Sequence, residues 1–300
     1  MAKSRQLRGR IRSVRNTRKI TRTMELVSTS KLKRAQDRVI AARPYAEALR
    51  DTIADLLTPD LVEQFPLLRA PKPPAKGGPR RAAVVLLTSN RGLCGSFNAN
   101  LIKEAKRRIE QLEGGGYTVD LYAVGKKGAG FFKYVGRKLA GERQDIGDKP
   151  TADHAAEIAA PLIAAYEAGK LASVDLVQAR FQSALSTPPA TIRILPVEAG
   201  AGGSRRDQAG SGVKPYYILA PSGEAILAEL LPLYVRNMFY RGLVETAASE
   251  HGARRTAMKN ATDNAGDLID LLTRTFNRQR QAQITQEIAE IVGGAAALQG

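Results

Sequence analysis

Apolar residues in the first third of the chain recur at the spacing of a long α-helix. From Leu32 to Leu56 they alternate in steps of three and four residues, which is the pattern of a coiled-coil seam. A looser stripe precedes this seam at Leu7, Ile11, Val14, Ile20, Met24 and Val27. Pro44 lies inside the pattern, and we expect it to kink the helix without ending it. Residues 1–64 are therefore predicted to form an N-terminal coiled-coil helix.

A second helical pattern fills the last third of the chain. Ser222 is a candidate N-cap, and no proline follows Pro232. The apolar positions are Leu227, Leu231, Tyr234, Met238, Ala261, Ala265, Leu268 and Leu272, followed by Ile284, Ile288 and Ile291. The stripe shifts between Thr275 and Gln281, as it does at a coiled-coil stutter. Residues 222–300 are predicted to form a C-terminal coiled-coil helix.

The middle of the chain alternates between strand and helix patterns. We expect strands at 82–88, 118–124, 174–182 and 190–197, and helices at 100–113, 126–135 and 151–168, the last one capped by Thr151. A Pro- and Gly-rich stretch at 65–81 is predicted to be a linker, and 200–212 a flexible insertion. Residues 82–221 are therefore predicted to be a small Rossmann-like α/β domain. The two terminal helices flank this domain and need each other to bury their stripes, so we expect an antiparallel coiled coil.

Positive charge is concentrated at the N-terminus. The whole chain has a formal net charge of +17, and residues 1–50 hold 15 Lys and Arg against three acidic residues. Such a block indicates an acidic partner, which can be a nucleic acid, an anionic lipid or an acidic protein surface, or else it is a solvated face. A nucleic-acid-binding protein is the main alternative function. It is disfavoured because no aromatic residues are interleaved with the charges and because the seam requires a helical partner.

No catalytic constellation is visible in the sequence. Cys94 is the single cysteine, so no intramolecular disulfide can form, and we expect a buried inert thiol. Neither His154 nor His251 lies in a recognisable motif, so a zinc site is not expected. No apolar run reaches the roughly 18 residues that a membrane-spanning helix needs. We predict no catalytic residue, no cofactor and no metal.

The segment SNRGLCGSFN, at 89–98, follows a predicted strand and precedes a predicted helix. Phosphate-binding loops occupy such positions, but this one matches neither the dinucleotide fingerprint nor the Walker A pattern. It is interpreted as a tight turn that needs glycine at positive φ, with a partner contact or a weak anion site as the alternative. A nucleotide-binding enzyme built on the α/β domain is correspondingly disfavoured.

Three segments resemble the γ subunits of F-type ATP synthases. The first is IRSVRNTRKITRTMELVSTSKLKRAQ at 11–36, followed by RPYAE at 43–47, and the second is SNRGLCGSFN. The third is ASEHGARRTAMKNATDNAGDLI at 248–269, which continues into RQAQITQEIAEIVGGAAAL at 280–298. The segments occur in the family's order, and the resemblance covers essentially the whole chain.

The resemblance implies a rotor without catalytic activity of its own. In this family the terminal helices form an antiparallel coiled coil inside the α₃β₃ hexamer, and the α/β domain contacts the ε subunit and the c-ring. Proton or sodium flow turns the ring and the rotor, which drives each catalytic β subunit through its cycle. The acidic partner of the basic helix would then be an acidic loop of β. The lack of a separate presequence favours a bacterial source, with the chain peripheral on the cytoplasmic face of the inner membrane.

The resemblance also assigns partner contacts residue by residue. Met24 is expected to face the β loops, and Arg91 and Cys94 of the RGLCG turn to lie beneath β. The upper contacts with β are expected at Arg254, Arg255, Gln281, Thr285 and Glu287. Two features depart from the family pattern: Leu-Ala-Pro at 219–221 replaces an aromatic-Glu-Pro element, and Pro232 lies early in the C-terminal helix. A carboxylate contact to ε or the c-ring is therefore not carried over.

Overall fold

The computed structural model describes residues 2–57, 59–69, 80–183, 186–197 and 222–299. The helices are α1 (Ala2–Leu56), α2 (Pro59–Gln64), α3 (Phe97–Gly114), α4 (Lys126–Tyr134), α5 (Ala152–Glu167) and α6 (Gly223–Gln299). The strands are β1 (Arg80–Leu87), β2 (Tyr117–Val124), β3 (Gly141–Arg143), β4 (Ser173–Ala179) and β5 (Pro189–Leu195). Contacts divide the chain into two compact units, one of Met1–Ser28 with Arg254–Gly300, the other of Thr29–Ala253.

The second unit contains a five-stranded sheet in the order β3-β2-β1-β4-β5. Strand β1 pairs in parallel with β2 and with β4, β2 pairs in parallel with β3, and β5 is antiparallel to β4. Helices connect the parallel strands, as right-handed crossovers require. The predicted α/β domain is therefore confirmed, with an added antiparallel edge strand.

Strand β1 is buried on both faces of the sheet, and its alternate side chains belong to two different cores. Ala83, Val85 and Leu87 join a core that contains α5, the C-terminal end of α1 and the beginning of α6. Ala82, Val84 and Leu86 join a second core with α3 and α4. An uninterrupted apolar run is what a central parallel strand needs, because helices cover both of its faces.

Local signals explain several boundaries in this unit. Thr151 caps α5 through a capping box in which its side chain accepts from the His154 amide and the His154 ring accepts from the Thr151 amide. Ser222 caps α6, since its hydroxyl accepts from the Ala225 amide at 3.2 Å. Pro44 and Pro232 lie inside α1 and α6, and neither ends its helix.

In the first unit, α1 and α6 run antiparallel. The Arg8 guanidinium lies 5.5 Å from the ring centre of Phe276, and the hydroxyl oxygens of Thr21 and Thr262 are 2.8 Å apart. Residue numbers thus rise along one helix while they fall along the other. The predicted antiparallel pairing of the terminal helices is confirmed.

The coiled-coil seam of α1 begins earlier than the sequence predicts. Buried side chains keep the heptad spacing at Thr21, Ser28, Leu32, Ala35, Val39, Ala46, Leu49, Ile53 and Leu56. The sequence predicts Ile20 and Val27 in the stripe, which is wrong, because these side chains are 60% and 50% exposed. Thr21 and Ser28 fit the seam because their hydroxyls donate to backbone carbonyls one turn earlier, at 3.1 and 2.7 Å.

The seam of α6 also differs from the predicted stripe. The buried positions include Val235, Phe239, Met258, Thr262, Ala265, Ile269 and Leu272. The prediction of Leu268 as a seam residue is wrong, since its side chain is 42% exposed while that of its neighbour Ile269 is buried. From 273 to 294, the end of the range whose exposure is described, no residue is buried. The predicted shift of the stripe after Thr275 coincides with this change.

Three other segments differ from the sequence-based expectation. The short edge strand β3 carries no alternating pattern and is not predicted. α1 ends at Leu56, before the separate helix α2, and β1 begins inside the predicted linker. Leu67 and Leu68, also in that linker, are buried in a core. Three stretches lie outside the described residues: 70–79, the predicted insertion at 200–212 and the Leu-Ala-Pro segment at 219–221. The division of the chain into 1–64, 65–81, 82–221 and 222–300 stays a prediction.

Candidate functional site

The turn between β1 and α3 holds the only cysteine of the chain. Cys94 is 2% exposed, and its Sγ accepts a hydrogen bond from the Asn98 side chain at 3.1 Å. The Asn98 carbonyl oxygen in turn accepts from the Ser89 amide at 3.0 Å. Reagents in solution cannot reach a thiol enclosed in this way. The expectation that the Cys94 thiol is buried is confirmed, and its lack of reactivity stays a prediction.

The outer side of the same turn is exposed. Arg91 is exposed, and Leu93 is 60% exposed with φ of 62°. Gly95 also has positive φ, at 59°, as the tight-turn interpretation requires. The Arg91 carbonyl accepts from the Ser89 hydroxyl at 2.6 Å, so the backbone that carries these side chains is fixed. The turn therefore brings Arg91 and Cys94 together, with only Arg91 presented outward.

A pocket of about 290 Å³ lies at the carboxyl ends of β1 and β2. Its polar lining includes Thr88, Asn90, Arg91, Asp148, Thr246 and Glu250. Nucleotides bind at this edge in many doubly wound folds. Here the Asn90 side chain is committed to structure: it donates to the carbonyls of Gln144 and Ile146, both at 2.9 Å, and accepts from the Lys126 amide at 2.9 Å. No feature of this pocket favours nucleotide chemistry over a structural role.

In the described ranges, no three His, Cys, Asp or Glu side chains come together as metal ligands would. Within the same part of the chain, no helix is both apolar enough and long enough to cross a lipid bilayer.

The first unit presents the basic face predicted from the sequence. Its exposed arginines include Arg8, Arg10, Arg12 and Arg15 on α1. Exposed apolar side chains occur on the same helix at Ile20, Leu26 and Val27. Apolar side chains in this arrangement indicate a surface that is covered by a partner.

The predicted contacts on α6 lie in two places in the same unit. Arg254 is 7% exposed and Arg255 is half-buried, as is Met24 on α1. Farther along, the exposed set consists of Gln281, Thr285 and Glu287, together with the apolar Ile284, Ile288 and Ile291. One helical turn separates Gln281 from Thr285, which puts them on one face, whereas Glu287 lies on another. These residues form an extended helix surface rather than one compact site.

Sequence reasoning missed a polar cluster in the second unit. Asp148, in the loop between β3 and α5, pairs with Lys31 of α1, and its Oδ1 lies 3.6 Å from Nε2 of His251 on α6. The Arg38 guanidinium donates to the Asp148 carbonyl at 3.2 Å. Burial is the largest single influence on the Asp148 carboxyl and opposes its ionisation. The hydrogen bond from Lys31 and the nearby charges of His251, Lys31 and Arg91 together outweigh burial, so the pKa of Asp148 lies below its ordinary value. No local pattern signals a cluster whose members are more than 100 positions apart.

Paired terminal helices, an α/β domain between them in the sequence and an exposed basic and apolar helix surface are together typical of a chain that binds protein partners. A family model described as "ATP synthase" matches residues 3–298. A protein of Gemmatimonas aurantiaca named "ATP synthase gamma chain" is 58% identical over 300 residues, all of both chains. One of Heliobacterium modesticaldum with the same name is 43% identical and covers 98% of each chain. The chain belongs to the ATP synthase γ chain family.

A solved structure agrees with this fold. The rotor structure of the Euglena gracilis mitochondrial ATP synthase contains a chain that matches with a TM-score of 0.65, covering 94% of this chain and 99% of that one. The two sequences are 19% identical, so the match supports the fold alone.

Proposed function

We propose that this chain is the central-stalk rotor of an F-type ATP synthase and transmits torque between the c-ring and the catalytic β subunits. The observation that carries the proposal is the 58% identity, over the full length of both chains, with a protein named ATP synthase gamma chain. The match includes the terminal helices and the α/β domain alike, so every part of the given sequence supports the same function. The antiparallel helices of the first unit support it, because their exposed apolar side chains need a surrounding partner.

The proposed partners are the α₃β₃ hexamer, the ε subunit and the c-ring. ATP chemistry belongs to the β subunits in this scheme, and the chain itself has no catalytic role. It acts as a peripheral subunit at the cytoplasmic face of a bacterial inner membrane. The chain's rotational angle biases the conformational equilibrium of each β subunit.

The proposed contacts with β fall into two groups. Residues on the first unit supply one group, at Met24, Arg254, Arg255, Gln281, Thr285 and Glu287. The second group is the turn that carries Arg91 and Cys94, in which Arg91 makes the contact and the buried Cys94 shapes the backbone. Exposed charges in such contacts steer and exchange partners more than they add affinity.

Reconstitution tests the proposal directly. The full chain is mixed with α and β subunits from a species that carries a close relative, and ATP hydrolysis is measured with and without it. We expect a stoichiometric complex whose ATPase activity depends on the chain. If the chain neither joined α and β nor changed their ATPase activity, the rotor proposal would be wrong.

The basic face of α1 should contribute more to the rate of assembly than to the stability of the fold, to which Arg8 contributes through its contact with the Phe276 ring. The variant replaces four exposed arginines by glutamine, at Arg8, Arg10, Arg12 and Arg15. We expect association with α₃β₃ to slow about tenfold at low ionic strength and the difference to shrink as salt screens the charges. Stopped-flow mixing at several salt concentrations measures the rates.

The matched control removes the same number of positive charges from the α/β domain. It replaces the exposed Lys103, Lys106, Lys126 and Lys170 by glutamine. Equal slowing in both variants would mean that net charge alone steers assembly. An unchanged rate in the arginine variant would mean that its charges form only a solvated face.

A further inference from the structure

Within the second unit, Asp148 contacts segments of both long helices, α1 and α6. Lys31 and Arg38 belong to α1, and His251 belongs to α6; Lys31 and His251 face the carboxylate, whereas Arg38 donates to the backbone carbonyl. We call this set of contacts the Asp148 clasp. The His251 side chain is only 3% exposed, so water cannot readily replace it as a partner.

The clasp lies where the two helices pack against each other. Ala35 and Val39 of α1 form an apolar cluster with Val244 and Ala248 of α6. Lys31 is one helical turn before Ala35, and His251 follows Ala248 by about one turn. The carboxylate therefore contacts the pair of helices together at their own interface.

The loop that carries Asp148 is anchored equally firmly to the α/β domain. The Asn90 side chain, just after β1, donates to the carbonyls of Gln144 and Ile146. Arg143 at the end of β3 donates to Asp145 and to Glu157 of α5, at 2.6 and 2.7 Å. A force applied to Asp148 therefore reaches three elements of the domain through hydrogen bonds.

Apolar packing attaches α1 to the domain farther along the helix, and the Thr246 hydroxyl of α6 accepts from the Ala179 amide of β4 at 3.4 Å. Leu49, Ile53 and Leu56 of α1 enter the domain core. Leu49 lies about 27 Å along the helix from Lys31. Hydrophobic contact resists separation but has little directionality, whereas charge-assisted hydrogen bonds depend on direction. The clasp is thus suited to resist rotation of the helix pair against the domain.

We infer that the Asp148 clasp carries torque between the α/β domain and the paired helices. This inference rests on the proposed rotor function and assigns a positioning residue, Asp148, within it. The clasp touches no reacting group, so its loss should reduce torsional stiffness and leave the chemical step intact.

The first experiment uses the free full-length chain. The variants Lys31→Gln, Asp148→Asn and their combination are unfolded with urea. We expect strongly non-additive losses, with a coupling of about fivefold in the unfolding equilibrium constant. Additive losses would mean that Lys31 and Asp148 do not act together, which would overturn the clasp and leave the rotor proposal untouched.

The second experiment uses the complex reconstituted with α and β. A bead is attached to the α/β domain through a cysteine introduced at the exposed Glu110, and its angular fluctuation is recorded while rotation is paused. We expect Asp148→Asn to lose torsional stiffness and to stall at a lower load, with unloaded ATPase activity equal to that of the wild type.

The matched control is Glu113→Gln. It breaks an ion pair with Arg137, joined at 2.6 Å and similarly exposed, that touches neither long helix. This variant should keep the wild-type stiffness. Wild-type stiffness in Asp148→Asn would overturn the inference. Failure of the wild-type chain to rotate in the complex would instead count against the proposed function.

Discussion

Replacing Asp175 by alanine should lower the free energy of unfolding by about 3 kcal/mol, because it leaves two guanidinium groups facing each other without their shared carboxylate. Asp175 lies on β4, one of the inner strands, and is 1% exposed. Its Oδ2 accepts from Arg108 of α3 at 3.0 and 3.1 Å, and its Oδ1 accepts from Arg193 of β5 at 3.2 Å. Urea unfolding followed by circular dichroism measures the loss.

The chain offers a matched ion pair near the surface. Asp120 of β2 accepts two-pronged hydrogen bonds from Arg81, whose side chain is 55% exposed. Asp120→Ala should cost about 1 kcal/mol or less, because water solvates the released arginine. Equal losses in the two variants would show that burial of the Asp175 cluster adds nothing to its importance.

Replacing Gly125 by alanine should cost about 3 kcal/mol or more, or prevent folding, because the change combines backbone strain with overpacking. Gly125 joins β2 to α4 with φ of 101°, a region that side-chain-bearing residues rarely adopt. An added Cβ would lie 2.1 Å from the Thr88 carbonyl oxygen, which is backbone and cannot move aside. The yield of soluble chain and its urea midpoint measure the effect.

Gly136 separates the two causes. It also has positive φ, at 79°, but no atom lies within 4 Å of an added Cβ. Gly136→Ala should therefore cost only the conformational strain, about 1 kcal/mol. If Gly125→Ala were no worse than Gly136→Ala, then the close approach to Thr88 would be relaxed at little cost and the prediction would be wrong.

The fold class was predictable because its signals are local and repeated. The run of apolar residues in β1 and the steps of three and four from Leu32 to Leu56 each specify one element by themselves. Thr151 is likewise a local signal, because an N-cap residue predicts that a helix, here α5, begins directly after it. Strand β3 was missed because three residues at a sheet edge are too few to show any alternation.

The seam before Leu32 was misjudged for a different reason. Hydrophobicity favours Ile20 and Val27, but the helices meet at Thr21 and Ser28, whose small side chains satisfy their hydroxyls within their own helix. The Asp148 clasp could not be anticipated at all, since Lys31, Asp148 and His251 become neighbours only after the chain folds. The partner contacts that the resemblance to a family implies stay a prediction, whereas the contacts of the Asp148 clasp have no counterpart in any sequence motif.

The hydrogen-bonded hydroxyls of Thr21 and Thr262 help to set the register of the two paired helices. A purely aliphatic seam can slide by one heptad and lose little, because one methyl group replaces another. Here such a slip would separate two buried hydroxyls that now lie 2.8 Å apart. The pair therefore favours the present alignment of the two helices over one that is shifted by a heptad.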